Sequence, residues 1–315
     1  VLFQKEYEIF NQVCDELSNS FKYLKSISKN TWNLDFLSNL AEVAYKNNYV
    51  KPEIHDWYEL EIKEWRHPVI EKIEKKFINN DLNLSSKNFV NILTWPNMWW
   101  KSTYLRQNAL IILMSHIWSF VPASFAKIPL TDKIFSRIWA NDNLFLWNST
   151  FMVEMQEVAN ILNNSTKNSF VIIDEVWRGT STYDWMSLAW AILKQNHDNI
   201  KAKTLFATHY HELVDESKKL KWVSNFSVAV WENDSWIVFL RKIVPWSIKK
   251  SYWIEVAKLA WLPKSVILEA NNFLNNYENN HKSNQMSLWN IWLDYEKVIE
   301  KVVYKEVSSD LDLKI

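Results

Sequence analysis

The scarcity of glycine most limits what this chain can fold into, because the 315-residue sequence contains one glycine, Gly179, beside 20 tryptophans. Average usage of roughly 7% would give about 22 glycines in a chain of this length. A domain of this size needs residues that accept positive φ angles at helix ends, tight turns and ligand-facing loops, where tryptophan fits poorly. We therefore predict that most of these tryptophans mark positions where the organism inserts glycine, as UGA codons read as glycine would produce.

The positions of individual tryptophans agree with this interpretation. Trp261 follows a helical stretch and precedes Pro263 by two residues, where a left-handed glycine is expected. Trp57 follows an aspartate and Trp246 follows a proline, as glycines do in tight turns. Trp190 differs because it lies inside an apolar helical run, where a large ring packs well. We predict that Trp190 is a genuine tryptophan.

Composition excludes several classes of protein. The single cysteine, Cys14, excludes a disulfide framework and a cysteine-based metal site, and it indicates a reducing compartment. The longest apolar run, residues 109–121, is too short and too polar to span a bilayer. With 36 basic and 36 acidic side chains the chain is formally neutral, which argues against a generally polycationic nucleic-acid coat. The chain starts at valine, and we expect it to be a fragment.

Three regions follow one another along the chain. In residues 1–50, apolar side chains recur at steps of three and four, which predicts a helical, hairpin-like segment that ends near Val50 and has a break at residues 30–33. Residues 277–315 are polar and predict a linker with a partial C-terminal tail. Residues 51–276 form the main domain.

The main domain alternates short apolar runs with helical stretches, which predicts an α/β fold with a largely parallel sheet flanked by helices. The ligand of such a sheet sits at the carboxyl ends of its strands. The predicted strands are residues 89–93, 170–173, 204–207 and 237–240, and two of the helices are residues 102–118 and 151–162.

A phosphate-binding loop is predicted directly after the first of these strands. The pattern G-x-x-x-x-G-K-[ST] is matched completely if Trp95 and Trp100 are glycines. Small residues are needed there because backbone N–H groups must turn inward onto phosphate oxygens at the helix N-terminus. Lys101 would then contact the β- and γ-phosphates of ATP, and Ser102 would bind Mg²⁺. The predicted loop consists of Trp95, Pro96, Asn97, Met98, Trp99, Trp100, Lys101, Ser102 and Thr103.

Two further strand ends carry polar residues. Asp174 and Glu175 follow four apolar residues, as in a Walker B element, in which Asp174 holds Mg²⁺ with Ser102 and Glu175 polarises the attacking water. His209 follows the third strand, where it could sense the γ-phosphate. Taken alone, a solvated loop explains the two acids equally well, and a histidine beside a strand end is more often a hydrogen-bonded surface residue.

Four segments together resemble one family, the MutS DNA mismatch-repair ATPases, once tryptophan is read as glycine. They cover the Walker A, signature, Walker B and switch-histidine segments of that family, in its order, within a match over about residues 5–275. The resemblance implies an ABC-superfamily-like P-loop NTPase sheet, preceded by a helical segment from the core and lever region. The segments are residues 94–107 (TWPNMWWKSTYLRQ), 135–154 (FSRIWANDNLFLWNSTFMVE), 173–185 (IDEVWRGTSTYDW) and 206–213 (FATHYHEL).

The resemblance also implies roles and partners. Ser149 and Thr150 would reach the γ-phosphate of the partner subunit in a homodimer with composite ATP sites, and Phe77 would stack on adenine. His209 would be the switch histidine. The implied partners are mismatched double-stranded DNA, bound mainly through regions absent from this chain, and a downstream repair factor such as a MutL-like protein. The implied location is cytoplasmic and nucleoid-associated, with no membrane partner.

Two alternatives remain open from the sequence. Another ABC-type DNA-maintenance ATPase would carry the signature LSGGQ, written LSWWQ here, and the sequence contains none. If the tryptophans of the loop are real, the phosphate site is blocked and the chain is a degenerate, non-hydrolysing scaffold.

Overall fold

A computed structural model of the chain describes residues 2–74, 77–94, 100–138, 150–174, 182–232, 237–245 and 253–281. The predictions on residues 95–99, Ser149 and Glu175 lie outside these ranges. The chain divides into two compact units, Val1–Ser251 and Tyr252–Ile315. Within the described residues, no helix is both long enough and apolar enough to cross a membrane.

The chain begins with one long helix, α1 (Leu2–Asn47). The predicted break at residues 30–33 and the hairpin-like arrangement are wrong, because one helix continues through these residues. These residues are moderate helix formers without proline or glycine, so they lower helix stability without removing a backbone donor. Of this helix only Ala44 is buried, and its apolar row, including Phe3 and Phe10, faces solvent.

A four-stranded sheet follows, in the order β1-β5-β2-β3. Strand β1 pairs in parallel with β5, while β2 is antiparallel to both of its neighbours. A single helical turn, α2 (Ile70–Ile73), lies between β2 and β3 in the chain. The strands are β1 (Glu53–His55), β2 (Leu60–Trp65), β3 (Asn80–Leu84) and β5 (Phe125–Pro129).

The central sheet has six strands in the order β10-β9-β4-β8-β7-β6. The five strands from β9 to β6 are parallel, and β10 is an antiparallel edge strand. This confirms the predicted α/β fold. The strands are β4 (Val90–Thr94), β6 (Ile134–Arg137), β7 (Phe170–Asp174), β8 (Lys203–Thr208), β9 (Val223–Glu232) and β10 (Ile237–Pro245).

Helices cover both faces of the central sheet, because its inner strands are apolar on both sides. On one face Leu93 belongs to a core with Leu105 of α3. On the other face Ile92 belongs to a core with Val158 of α4 and Ile192 of α5. The helices are α3 (Trp100–His116), α4 (Thr150–Asn164), α5 (Thr182–Gln195) and α6 (His211–Ser217), and a π-helical turn, Asn196–Ile200, follows α5.

The second unit contains two helices, α7 (Trp253–Leu259) and α8 (Lys264–His281). Helix α8 therefore continues beyond Tyr277, where the polar stretch begins. Between the helices Trp261 has a φ of 63°, which confirms the predicted left-handed position after α7.

Left-handed backbone positions support the glycine interpretation more widely. Among the described residues other than glycine, seven have positive φ, and three of these are Trp118, Trp222 and Trp261. A left-handed conformation costs an L-residue with a side chain roughly 1–2 kcal/mol, a cost that glycine lacks. Trp190 packs against the core that contains Ile192, as Trp185 also does, so the genuine tryptophan at position 190 stays a prediction.

Candidate functional site

Three of the strand ends predicted to carry function meet at one edge of the central sheet. Strand β8 lies between β4 and β7, and its Thr208 pairs with Thr94 of β4. On the other side Ala207 pairs with Asp174, the last residue of β7. The predicted convergence at the carboxyl ends of the strands is therefore observed.

The centre of this edge is a buried ion pair. Nζ of Lys101, in the first turn of α3, lies 3.1 Å from Oδ1 of Asp174, and both side chains are at least 95% buried. Ser102 Oγ donates a hydrogen bond of 2.9 Å to Asp174 Oδ2. A pair so fully removed from water carries a large desolvation cost, so its placement is a weak argument for stability. The buried pair suits a site in which Lys101 and Asp174 exchange their mutual contact for contacts with a charged ligand.

Asp174 keeps spare acceptor capacity. Its Oδ1 is buried and, within the described part of the chain, receives no aligned hydrogen bond, although it lies within ion-pair distance of Lys101. The contact with Lys101 is therefore an ion pair and leaves this oxygen able to accept a further ligand. A carboxylate oxygen in that state, next to the Ser102 hydroxyl, has the chemistry of a ligand for a hard cation.

His209 follows β8 directly and is half-buried at the same edge. Its ring centre lies 4.2 Å from that of Tyr210. Thr208 Oγ1 accepts a hydrogen bond of 3.1 Å from the backbone N–H of Tyr210, which fixes the turn that leaves the strand. The structure thus places His209 one strand away from Lys101 and Asp174. Thr103, the last residue of the predicted loop, is buried in the first turn of α3.

An aromatic cluster lies beside Lys101. The indole of Trp100 is 7% exposed, and its centre is 5.7 Å from that of the Phe77 ring. The guanidinium carbon of Arg241, on β10, lies 4.3 Å from the same indole. Glycine at position 100 would leave a space bounded by an aromatic ring and a planar cation, both of which stack on flat bases.

Arg241 escaped the sequence reasoning, since a lone arginine in an edge strand carries no motif. Arg137 was missed for the same reason. It ends β6, and its buried guanidinium pairs with Glu154 and, at 3.0 Å, with Glu157 on α4. Helix α4 begins at Thr150, so Arg137 ties the helix of the predicted signature residues to the sheet.

The fold and this edge define a class of protein. An apolar strand, a lysine and a serine at the start of the next helix, and a carboxylate at the end of a nearby parallel strand characterise a P-loop nucleotide-binding domain. The family model for MutS domain V matches residues 91–278 of the chain.

Relatives with similar sequences match this chain over most of its length. It is 50% identical over 305 residues to the DNA mismatch repair protein MutS of Clostridioides difficile, covering 93% of this chain and 32% of that protein. It is 51% identical over 271 residues to MutS of Fusobacterium nucleatum, covering 85% and 30%. It is 48% identical over 314 residues to MutS of Clostridium tetani, covering 98% and 35%.

The chain therefore belongs to the MutS family and holds the ATPase domain of a DNA mismatch repair protein. ATP binding follows from this membership, and the alternative of another ABC-type DNA-maintenance ATPase is set aside. The chain spans about a third of the length of the relatives that it matches.

Proposed function

We propose that this chain hydrolyses ATP at the edge formed by β4, β8 and β7, with Mg²⁺ as cofactor. The observation that carries the proposal is the buried contact of Lys101 and Ser102 with Asp174. Lys101 is the cation for the β- and γ-phosphates. Its present contact with the Asp174 carboxylate holds the ammonium in position until phosphate replaces that partner.

Mg²⁺ would be held by Ser102 and Asp174. The pair fits this ion because both supply oxygen and because Asp174 Oδ1 has no aligned donor. The bound cation would neutralise charge on the β- and γ-phosphates. Among the described residues no group of three or more histidine, cysteine, aspartate or glutamate side chains could hold a metal, so a resident transition-metal site is not part of the proposal.

The remaining roles follow the resemblance and the sheet topology. Glu175, directly after Asp174 in the chain, orients and polarises the attacking water. His209 senses the γ-phosphate from the neighbouring strand, and Phe77 stacks on adenine. Ser149 and Thr150 act on the ATP of a second copy, so that the homodimer forms two composite sites; of these two residues, Thr150 begins α4.

In the protein to which the chain belongs, this ATP cycle would drive clamp movement on mismatched double-stranded DNA. Support comes from the relatives, which are DNA mismatch repair proteins. The DNA is gripped mainly by regions absent from this chain, in keeping with its zero net charge. We include a downstream MutL-like factor and a cytoplasmic, nucleoid-associated location in the proposal.

Glu175→Gln tests the hydrolytic role in the chain made with glycine in place of every tryptophan except Trp190. The variant keeps the shape of the side chain and removes its charge. We expect ATP binding to persist and steady-state phosphate release to stop. Unchanged turnover would remove Glu175 from the mechanism.

A second candidate function is supported by Trp100. With tryptophan at this position, the indole fills the space beside Phe77 that adenine would use, and the chain would be a scaffold without ATP hydrolysis. Peptide mass spectrometry of the native product determines the mass of residue 100 directly. The mass of glycine favours the enzyme, and the mass of tryptophan favours the scaffold.

A further inference from the structure

The C-terminal end of α1 is held by a side chain from the next segment. The last carbonyl groups of a helix lack donors within the helix. Arg66 Nη2 donates hydrogen bonds to the carbonyl oxygens of Asn47, at 3.0 Å, and Asn48, at 3.3 Å. Its positive charge also interacts favourably with the negative end of the helix dipole. The end of α1 therefore depends on where the Arg66 guanidinium is held.

Helix α2 holds that guanidinium. Arg66 Nε donates a hydrogen bond of 2.6 Å to Oε2 of Glu71, in the first turn of α2. The Tyr49 hydroxyl, just beyond α1, donates one of 3.1 Å to the other oxygen of Glu71. Burial and the adjacent Glu71 carboxylate raise the pKa of Tyr49, so it remains a donor through the neutral range. Glu71 thus joins α2 to the end of α1 by two paths.

The other end of α2 reaches the nucleotide side. Glu74, which caps α2, has its Oε2 3.6 Å from Nη1 of Arg241. Arg241 is the cation that contacts the indole of Trp100. Asn80 holds the backbone of this segment, since its Nδ2 donates to the carbonyl oxygen of Arg241 at 3.0 Å and its Oδ1 accepts from Ile243 N–H at 2.7 Å. The Arg241 side chain is therefore the movable part of the contact.

The two links of α2 differ in strength. Glu71 is 14% exposed and Arg66 27% exposed, whereas Glu74 and Arg241 are each more than a third exposed. An exposed ion pair is weak and is easily exchanged for another contact of the same cation. A base stacked beside Phe77 competes for, or reorients, the Arg241 guanidinium. The stronger link, Glu71–Arg66, lies at the end of α1, and the exchangeable link, Glu74–Arg241, lies at the base position.

We propose that α2 couples occupation of the base position to the stability of the C-terminal end of α1, through Glu74–Arg241 on one side and Glu71–Arg66 on the other. The inference rests on the proposed nucleotide site. The coupling requires residues that the nucleotide site does not. Arg66, Glu71 and Glu74 lie outside the phosphate edge and transmit the state of the base without binding phosphate. Linkage is reciprocal, so changes at Arg66 also alter nucleotide affinity.

Hydrogen exchange tests the coupling in the full chain with glycine at the recoded positions. The observable is exchange of the backbone amides of residues 44–50, compared between free chain, chain with non-hydrolysable Mg-ATP analogue, and chain with inorganic triphosphate. We expect the analogue to change the exchange rate about 5- to 150-fold, the range of ordinary coupling. Triphosphate, which has no base, should leave it unchanged.

Three variants separate coupling from simple support of α1. Arg66→Gln and Glu74→Gln should each abolish the analogue-dependent change while the analogue still binds, as measured by equilibrium titration. Among the described residues, Glu74 pairs with Arg241 and forms no hydrogen bond or ion pair with α1, so a purely structural role of Arg66 predicts a wild-type response for Glu74→Gln. Glu42→Gln, which removes an exposed pair with Lys46 on the same helix, is the matched control and should respond like the wild type.

Each contrary result has a distinct meaning. Analogue binding with no change at residues 44–50 would overturn the coupling and leave the proposed function intact. An equal response to triphosphate, or a wild-type response of Glu74→Gln, would also overturn it, since the signal would then travel from the phosphates by another route. Absence of any analogue binding would overturn the proposed function and the coupling with it.

Discussion

Two lysines are buried at opposite edges of the central sheet, and their surroundings differ. Lys101, at the carboxyl edge, is 4% exposed, and its Nζ lies 3.1 Å from the Asp174 carboxylate. Lys203, the first residue of β8 at the amino edge, is 1% exposed, and its Nζ lies 3.8 Å from the centre of the Tyr58 ring. One ammonium faces a carboxylate that a phosphate can replace, and the other faces an uncharged ring.

The environment of Lys203 changes its pKa. Burial lowers the pKa of Lys203 to about 8, and the more distant carboxylates of Glu59 and Asp132 offset only part of this. Lys101 instead has a carboxylate oxygen, Asp174 Oδ1, at ion-pair distance. The comparison teaches that burial of a lysine does not itself mark a site. A replaceable anionic partner at the ligand edge of the sheet marks it.

The largest expected effect separates the two lysines by activity. In the glycine-containing chain, Lys101→Ala should lower ATP hydrolysis at least about 100-fold, because a preorganised cation for the phosphates is lost. Lys203→Met, the matched change at the other edge, should keep wild-type turnover. Phosphate release at saturating ATP measures both. Equal losses in the two variants would break the comparison.

The next effect concerns the carboxylate partner. Asp174→Asn keeps the size of the side chain and removes its charge, so the Mg²⁺ concentration for half-maximal hydrolysis should rise at least about 10-fold. Asp132→Asn is the control, since Asp132 accepts hydrogen bonds from Thr166 at 2.7 Å and Ser169 at 2.8 Å at the opposite edge. Its magnesium dependence should be unchanged. A wild-type magnesium titration of Asp174→Asn would exclude Asp174 as a ligand.

Lys203 should give a pH dependence of stability. Its pKa is about 8 in the fold and 10.5 ordinarily, so the unfolded chain binds more protons between these values. The free energy of unfolding should therefore rise from pH 8 to pH 10.5, by at most about 3 kcal/mol. Urea unfolding of wild type and Lys203→Met at several pH values measures the difference. An identical pH dependence in the two chains would contradict it.

The smallest effect concerns the ring beneath Lys203. Tyr58→Leu should lower the free energy of unfolding by about 0.5–2 kcal/mol more than Tyr58→Phe, since phenylalanine keeps the aromatic face. Both variants lose the hydrogen bond of 2.6 Å from the Tyr58 hydroxyl to the carbonyl oxygen of Lys201. Their difference in urea unfolding therefore isolates the ring. Equal stabilities would show that the contact with Lys203 contributes nothing.

Local patterns were enough to predict that the ends of β4, β7 and β8 meet at one edge of the sheet. These strands each contain a short apolar run that ends at a polar residue, and parallel strands bring such ends together. The left-handed position of Trp261 was predictable because the end of α7 and the following Pro263 are close in sequence. These features depend on neighbouring residues, which a single sequence displays directly.

Features set by distant contacts were not predictable in the same way. Arg241 reaches Trp100 across the sheet edge, and Tyr58 reaches Lys203 from the bend between β1 and β2, without any spacing that would indicate either contact. The continuity of α1 through residues 30–33 was also missed. Weak helix formers in the middle of a long helix cost a few tenths of a kcal/mol each, which is too little to end the helix. An interruption in the pattern of apolar residues therefore does not require a break in the helix.

The central claim is that this edge is a working ATP site which residue 100 opens or closes. Equilibrium ATP titration of two chains tests it most directly, one with glycine and one with tryptophan at position 100, both with glycine at the other recoded positions. We predict saturable ATP binding by the glycine form and none by the tryptophan form, because the indole occupies the space beside Phe77. Equal binding by the two forms, or no binding by the glycine form, would contradict the account.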